Sequence, residues 1–137
     1  MTDGERIERI RTTWALAAAD SARTGRVFYS NLFRIDSSTK PLFVGDLDLQ
    51  AHKLTQTLSF IVDHLDDMEM LLPAATDLAK RHLNYGIKAE QYTSVGTALI
   101  ETFKQLLGPA FTLRDQTAWG TTYTALCDIM IKAAYGD

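Results

Sequence analysis

A chain of 137 residues is long enough to bury about two thirds of its unfolded surface in one core, and too short for two typical domains. Its net charge of -3 gives no basic field for phosphates, and its one cysteine, Cys127, excludes an internal disulfide and any multi-cysteine metal site. The charged N-terminus lacks the apolar stretch of a signal peptide, and no segment has the roughly 20 apolar residues needed to cross a bilayer. We therefore expect one cytoplasmic domain, residues 1–137, with no nucleic-acid partner and no membrane insertion.

The apolar residues recur at helical rather than strand spacing, which predicts an all-α protein with six or seven helices. The first helix is expected to begin near residue 2 or 3, and the second carries Tyr29. A short helical turn follows, for which Ser37 and Ser38 are candidate caps, and Pro41 suits only its first turn. The apolar positions predicted for the first two helices are Ile7, Ile10, Trp14, Val27, Phe28, Leu32 and Ile35.

Residues 48–66 form the clearest amphipathic helix of the sequence. Gln50 lies one turn before Leu54 and therefore borders the apolar face of this helix. That face comprises Leu54, Leu58, Ile61, Val62 and Leu65.

Two further helices are predicted at the C-terminal end of the chain. One spans residues 89–107 and ends at Gly108, which Pro109 follows. The other begins at Thr112 and Asp115, which have the form of a capping box. Their apolar positions are Tyr92, Val95, Leu99, Phe103, Leu106, Trp119, Tyr123, Leu126, Met130 and Ala133.

The helix between Pro73 and Gly86 carries the most informative residue, His82. Because proline is tolerated only in the first turn, this helix is expected to begin within residues 68–72, and Gly86 marks its end. The steps of four, three and four residues place four side chains on one face: Leu71, Ala75, Leu78 and His82. The neutral ring nitrogen of an inward-facing imidazole is a good iron ligand, but a histidine in the last turn also suits the negative end of the helix dipole. The spacing alone leaves both interpretations open.

Three other side chains could line the opposite side of a flat cofactor: Tyr29, Gln50 and Leu54. The stretch from Gln50 to His82 holds one long helix, a polar connection and most of a second helix, which is enough to return the chain to the opposite wall of a pocket. The alternatives are an ordinary core tyrosine and a solvated helix glutamine. The sequence has no glycine-rich phosphate loop and no hydrolase motif, so a hydrolase is not expected.

Several short segments, taken in order, resemble one family. They are residues 28–33 (FYSNLF), 41–43 (PLF), 71–74 (LLPA), 78–82 (LAKRH), 91–96 (QYTSVG) and 118–120 (AWG). Together they are similar to globins, and most of all to the haem domain of bacterial flavohaemoglobins and to single-domain bacterial haemoglobins. Residues 107–112 (LGPAFT) are also similar to neuroglobins. The resemblance covers nearly the whole chain and implies the globin fold, a 3-over-3 helical sandwich around haem.

The resemblance also implies roles for individual residues. His82 corresponds to the proximal ligand of the iron in haem b (iron protoporphyrin IX), and Phe43 packs on the macrocycle. Tyr29 and Gln50 form the distal polar pair, with Leu54 as the apolar wall between them. Their hydroxyl and amide groups can donate hydrogen bonds to bound dioxygen, so high oxygen affinity is expected.

Other assignments from the resemblance are less specific. Lys53 and Arg81 could reach the haem propionates, or they could be solvated cations. Further positions correspond to residues around the ring, although core packing alone would explain their apolar character: Leu58, Leu78, Tyr85, Ile87, Val95 and Leu99. The two remaining histidines are expected to be solvated, His52 because it faces away from Gln50 and His64 because it lies among aspartates. Cys127 is expected to be a small buried hydrophobic residue.

One departure from the relatives concerns the proximal side. In flavohaemoglobins the proximal histidine belongs to a trio with a tyrosine and a glutamate, and the glutamate makes the imidazole more electron-donating. Tyr92 corresponds to that tyrosine, but Ala134 stands where the glutamate is expected. The electron donation is therefore predicted to be weaker.

The functional prediction is reversible binding of dioxygen, and of nitric oxide or carbon monoxide, for storage, transport or sensing. The alternative is a haem enzyme, namely a nitric oxide dioxygenase, a nitrite reductase or a peroxidase-like protein. Because 137 residues leave no room for flavin and nicotinamide domains, such an enzyme would need a separate reductase. A third interpretation is a cofactor-free helical interaction module. The protein is expected to be a monomer or a weak homodimer.

Overall fold

Six α-helices and two short 3-10 helices make up most of the chain that the computed structural model describes, residues 1–43, 45–84 and 86–135. The α-helices are α1 (Asp3–Ala18), α2 (Ser21–Ile35), α3 (Leu47–Asp63), α4 (Met68–Asn84), α5 (Ala89–Leu107) and α6 (Leu113–Tyr135). The 3-10 helices are Ser37–Leu42, between α2 and α3, and Gly108–Ala110, between α5 and α6. These ranges contain no strand, which confirms the all-α prediction, and none of their helices is long and apolar enough to span a membrane.

Side-chain oxygens cap most of the helix N-termini, as expected for backbone N–H groups that lack a partner within the helix. Thr2 caps α1, Asp20 caps α2 and Asp46 caps α3. The capping box predicted for α6 is confirmed, because the Thr112 N–H donates to the Asp115 carboxylate at 2.8 Å and the Asp115 N–H donates to the Thr112 hydroxyl at 3.2 Å. Gly108, at a φ of 53°, ends α5 where the sequence predicted.

The cap of the first 3-10 helix differs from the prediction. The Asp36 carboxylate accepts the Ser38 N–H at 3.1 Å, and the Ser38 hydroxyl donates to the same oxygen. The serines are therefore not the caps, because a charged carboxylate is a stronger acceptor than a hydroxyl. Pro41 is the fifth residue of this helix, so its predicted place in the first turn is also wrong.

One helix boundary and the position of one proline need correction. The helix predicted to end at Asp66 ends at Asp63, because the His64 N–H turns back to the carbonyls of Phe60 and Ile61 at 3.2 and 3.1 Å. Helix α4 begins at Met68, which places Pro73 in its second turn rather than its first. Pro73 is exposed, so solvent is available to the carbonyl that its missing N–H would have bonded.

The larger part of the core joins α1, α2, α3, α5 and α6. Its centre is aromatic: the Phe103 ring lies 6.3 Å from that of Trp14 and 4.5 Å from that of Trp119. Phe28 and Leu32 are almost fully buried against it. This cluster fixes the positions of α2 and α3.

A second, smaller part of the core holds α4. It comprises Ala75 and Ala79 of α4, Tyr92 of α5 and Met130 of α6. Helix α4 packs chiefly against α6, whereas α3 packs against α2 and α1. The helix that carries His82 and the helix that carries Gln50 therefore belong to separate parts of the core.

Candidate functional site

The first wall of the site is set by a close crossing of α2 and α3. A Cβ atom at Gly25 would overlap the Cβ atom of Ala51, so only glycine permits this approach. Tyr29 lies one helical turn after Gly25, and Gln50 directly precedes Ala51. The crossing therefore brings together two residues that the sequence placed on separate helices.

Tyr29 is buried inside an aromatic cage. Only 4% of its surface is exposed, and its ring centroid lies 5.0 Å from that of Phe43 and 5.9 Å from that of Phe33. Its hydroxyl donates to the main-chain carbonyl of Gln50 at 3.3 Å. Burial raises the pKa of Tyr29 to about 12, so the phenol keeps its proton at physiological pH.

Gln50 begins a row along α3 that Leu54 and Leu58 continue. All three are half-buried, and the two leucines pack against the larger core cluster. Phe43, just before the start of α3, is also half-buried and contacts that cluster, as predicted for an inward-pointing residue. These side chains place half-buried apolar surface along α3 next to the half-buried Gln50, whose main-chain carbonyl accepts from Tyr29.

The second wall carries His82. Burial lowers the pKa of its imidazole, and the neighbouring charge of Arg81 lowers it further, so the ring is neutral at pH 7. The Nδ1 atom is buried and has no hydrogen-bond partner, alone among the buried side-chain nitrogen and oxygen atoms that the structure describes. A buried polar atom without a partner is costly and points to a function.

The main chain after His82 is held by a glycine turn. The Ile87 N–H donates to the His82 carbonyl at 3.0 Å, and the Gly86 N–H donates to the Leu83 carbonyl at 3.1 Å. This is the hydrogen-bond pattern of a Schellman motif, with Gly86 at a φ of 82°. The turn fixes the last helical turn of α4 and, with it, the backbone position of His82.

Tyr92 supports His82 from α5. The two ring centroids are 5.9 Å apart, and burial raises the pKa of Tyr92 to about 12. The Tyr123 hydroxyl donates to the Tyr92 carbonyl at 2.6 Å. Within the part of the chain that the structure describes, the charged or titratable groups that shift the pKa values of His82 and Tyr92 belong to Arg81, Tyr135 and Cys127, none of which is a carboxylate. Ala134 is half-buried beside this cluster.

The other predicted contacts are divided between the two walls. Val95 is half-buried and Leu99 is buried against the larger cluster, whereas Leu78 and Ile87 are half-buried against the smaller one. Lys53 is exposed. Arg81 is also exposed, and its Nε lies 3.4 Å from the Asp77 carboxylate. Tyr85 lies outside the described residues.

The remaining histidines and the cysteine were predicted with mixed success. His52 is exposed, as predicted. The prediction that His64 is a surface residue is wrong, because its ring is half-buried, stacks on Phe60 at 4.1 Å and has Nδ1 2.7 Å from the Phe60 carbonyl. Cys127 is half-buried rather than fully buried.

Sequence reasoning missed three residues that position the site. Gly25 and Ala51 set the helix crossing, and Tyr123 holds the main chain of Tyr92. Gly25 lies one turn before Tyr29, which was a usable signal for a close approach. No sequence signal pointed to the hydroxyl of Tyr123. The ring of this tyrosine fits the apolar face of the last helix, so the pattern predicted burial of the ring and nothing about its hydroxyl.

The residues of both walls fit a haem group. A neutral imidazole offers one nitrogen lone pair to iron, while its other nitrogen carries a proton. Phe43, Leu54, Leu58 and Leu78 leave part of their apolar surface uncovered, which suits a flat apolar ring. Tyr29 adds a neutral donor on the wall formed by α2 and α3.

Comparison with known proteins shows the family to which the chain is similar. The globin family model matches residues 26–130. Flavohaemoproteins from Bordetella parapertussis and Bordetella bronchiseptica are each 33% identical over 82 residues, which cover 60% of this chain and 20% of theirs. The chain thus spans about a fifth of the length of these relatives.

Two solved structures share the fold. A bacterial globin from Campylobacter jejuni superposes with a TM-score of 0.82 at 22% identity, over 95% of this chain and 94% of its own. An engineered carbene transferase from Rhodothermus marinus, named provisionally as a nitric oxide dioxygenase, gives 0.82 at 23% identity, over 95% and 91%. At these identities the likeness concerns the fold alone. With the family model covering most of the sequence, the chain belongs to the globin family, whose members hold haem and bind diatomic gases.

Proposed function

We propose that this globin holds haem b through His82 and binds dioxygen reversibly, for storage, transport or sensing. The observation that carries the proposal is the neutral, half-buried imidazole of His82, whose buried Nδ1 has no partner among the described residues. When bound, haem supplies an iron atom with one coordination position open to a diatomic gas. The proposal treats residues 1–137 as one globin domain and includes the cytoplasmic setting expected from the sequence.

On the proximal side, the protein keeps the imidazole of His82 neutral and correctly turned. Burial disfavours its protonation, so a lone pair remains available at physiological pH. The ring of Tyr92 limits rotation of the imidazole from one side, and the glycine turn fixes its backbone. His82 is thereby prepared as a ligand before haem binds.

On the distal side, Tyr29 is the proposed hydrogen-bond donor. Its bond to the Gln50 carbonyl is 3.3 Å long, which is longer than a usual bond from a hydroxyl donor, so the hydroxyl can exchange it for a bond to a better acceptor. The rings of Phe33 and Phe43 pack against the ring of Tyr29 and hold it in place. The half-buried Gln50 amide is the second proposed donor, and Leu54 the apolar wall beside it.

Binding is favoured over catalysis by the surroundings of His82. Ala134 offers no carboxylate, and no carboxylate of residues 1–43, 45–84 and 86–135 shifts the pKa of His82 or Tyr92. A histidine without a charged acceptor donates less electron density to its metal, which favours holding oxygen over activating it.

The likeness to the Bordetella flavohaemoproteins supports a second candidate function, oxidation of nitric oxide by bound dioxygen. This chain matches about a fifth of those proteins, and we propose that a reductase supplies the electrons for repeated turnover. Nitric oxide and carbon monoxide are proposed as further ligands in both cases.

Absorption spectroscopy of purified protein tests the haem assignment. His82→Ala is expected to lose most of its haem or to shift its ferrous spectrum, and added imidazole is expected to restore the wild-type bands of His82→Gly. His52→Ala is the matched control, because this histidine is exposed and is expected to leave the spectrum unchanged. An unchanged spectrum for His82→Ala would refute the ligand assignment.

Nitric oxide consumption separates the two functions. We expect the oxygenated protein to oxidise about one equivalent of nitric oxide and then stop, even when a flavin reductase and a nicotinamide donor are supplied. Sustained turnover at a steady rate under those conditions would establish the dioxygenase instead.

A further inference from the structure

The glycine turn that follows His82 borders open space and depends on hydrogen bonds for its position. Gly86 and Lys88 are exposed, and together with Ile87 they line a cavity of about 380 Å³. Only the half-buried side chain of Ile87 reaches the smaller core cluster from this turn. The Ile87 N–H donates to the His82 carbonyl at 3.0 Å. A displacement of Ile87 would therefore displace the last turn of α4.

The peptide unit that joins Ile87 to Lys88 is held at both ends. From α6, the Tyr135 hydroxyl donates to the Ile87 carbonyl at 2.5 Å. From α5, the side-chain oxygen of Gln91 accepts the Lys88 N–H at 2.8 Å. Because a peptide unit is planar, two bonds at its opposite ends fix its orientation as well as its position.

Tyr135 ties α6 to this turn through its hydroxyl. It is the last residue of α6, and it is 45% exposed, so water is available to the hydroxyl as an alternative partner. Burial raises the pKa of Tyr92 and the Tyr135 phenol raises it further, which indicates that the end of α6 lies near the ring that supports His82. The bond to the turn therefore connects α6 to the wall that carries His82.

Gln91 holds the other end of the peptide unit from a fixed position. Its bond to the Lys88 N–H also caps α5, as in a capping box. The side chain is 5% exposed, and its amide nitrogen donates to the Ser38 hydroxyl at 3.2 Å. Because Gln91 is anchored at Ser38, its oxygen holds Lys88 in one place.

We propose that Tyr135 and Gln91 are positioning residues for His82. They hold the peptide unit after Ile87 and, through the bond from Ile87 to the His82 carbonyl, set the direction in which the imidazole presents its nitrogen to haem iron. The inference rests on the proposed function, since it requires His82 to be the iron ligand. Helix α6 thus acts on the backbone behind His82, whereas Ala134 gives the imidazole itself no carboxylate.

The expected benefit is stronger retention of haem. A ligand that is already held in its bound position loses less conformational freedom when it binds the metal. If the glycine turn were free to move, part of the free energy of coordination would be spent on ordering it. The positioning residues therefore slow the loss of haem without touching the iron or the gas.

Resonance Raman spectroscopy of the ferrous, gas-free protein tests the proposal, because it measures the stretching band of the bond between iron and the proximal imidazole. Tyr135→Phe and Gln91→Met are expected to shift and broaden this band. Each is also expected to lose haem to an excess of haem-free acceptor globin about two to ten times faster than wild type, the range for one net hydrogen bond between neutral groups. Thr117→Val is the matched control, since it removes a hydroxyl bond to a main-chain carbonyl elsewhere on α6 and is expected to behave like wild type.

A free ligand separates positioning from general stabilisation. In His82→Gly with added imidazole the ligand is not attached to the backbone, so adding Tyr135→Phe is expected to leave the rate of haem loss unchanged. Equal acceleration by Tyr135→Phe in this background and in wild type would show a merely structural role and overturn the proposal. An unshifted band in Tyr135→Phe or in Gln91→Met would overturn it too, while ligation by His82 would stand. If imidazole does not restore the bands of His82→Gly, the ligation is wrong and the inference falls with it.

Discussion

Replacing Tyr29 by phenylalanine removes one hydroxyl from the proposed distal donor and little else. The ring keeps its packing, because its neighbours Phe33 and Phe43 contact the aromatic face and edge rather than the oxygen. The Gln50 carbonyl loses a long hydrogen bond but still has its place in the first turns of α3. Tyr29→Phe therefore isolates the donor from the cage that holds it.

The size of the effect follows from the bonds exchanged. A net hydrogen bond between neutral groups contributes about 0.5 to 1.5 kcal/mol, and one to a charged acceptor about 1.5 to 3 kcal/mol. Bound dioxygen carries partial negative charge, which places it between these cases, but the hydroxyl must first leave the Gln50 carbonyl. A net loss of about 1.4 kcal/mol corresponds to a tenfold change, so we expect dioxygen to dissociate about ten times faster from Tyr29→Phe.

Stopped-flow displacement of dioxygen by carbon monoxide measures this rate. Carbon monoxide gains less negative charge than dioxygen, so its own dissociation serves as the internal control and is expected to change much less. Because the pKa of Tyr29 is raised to about 12, the wild-type rate is expected to stay constant between about pH 7 and 10, where the phenol keeps its proton. An equal dioxygen rate in wild type and Tyr29→Phe would refute the distal role of this residue.

Three further predictions concern stability. Gly25→Ala is expected to destabilise the protein by about 1 to 3 kcal/mol, because its new methyl group overlaps Ala51, whereas Gly120→Ala, with open space around it, is expected to be neutral or stabilising in the same thermal melts. Asp115→Ala removes both a helix cap and the partner of Arg9. The Arg9 Nη1 lies 3.2 Å from the Asp115 carboxylate, which is 7% exposed. We expect this change to lower the free energy of unfolding, measured in urea, by about 3 kcal/mol. The pKa of His82 in the folded state lies below its ordinary value of 6.5, so the unfolded chain binds the proton more readily. The haem-free protein is therefore expected to lose stability as the pH falls through 6.5. Urea midpoints that shift equally with pH in wild type and in His82→Gln would contradict this.

The helices could be predicted where capping and terminating residues agree with the periodicity of the apolar residues. Helix α5 has its predicted bounds because Gly108 and Pro109 stop it, and α6 begins where Thr112 and Asp115 form a reciprocal cap. The first 3-10 helix was less predictable, because three adjacent oxygen-bearing side chains competed to cap it. The charged one, Asp36, prevailed over Ser37 and Ser38.

The sequence could predict which residues belong to the candidate site, but not the distances between them. The spacing of His82 and the position of Gln50 identified the two helices, but the distance between them depends on packing that no local pattern encodes. The bond from Tyr29 to the Gln50 main chain follows from the crossing at Gly25, since a larger residue there would move α2 away from α3. The half-burial of His64 had a local signal, its four-residue spacing from Phe60, which favours stacking on one helical face.

The division of the core into two clusters has a consequence for His82. Helix α4 depends for its position on α6 and on Tyr92, not on the helices that form the distal wall. A flat apolar group that contacts both walls would therefore join two parts that pack separately, and its binding would stabilise α4 more than any other helix. Because the two clusters pack separately, the surroundings of His82 can change without disturbing Tyr29 and Gln50. Ala134 changes the surroundings of His82 through α6 alone, while Tyr29 and Gln50 stay fixed by the crossing of α2 with α3.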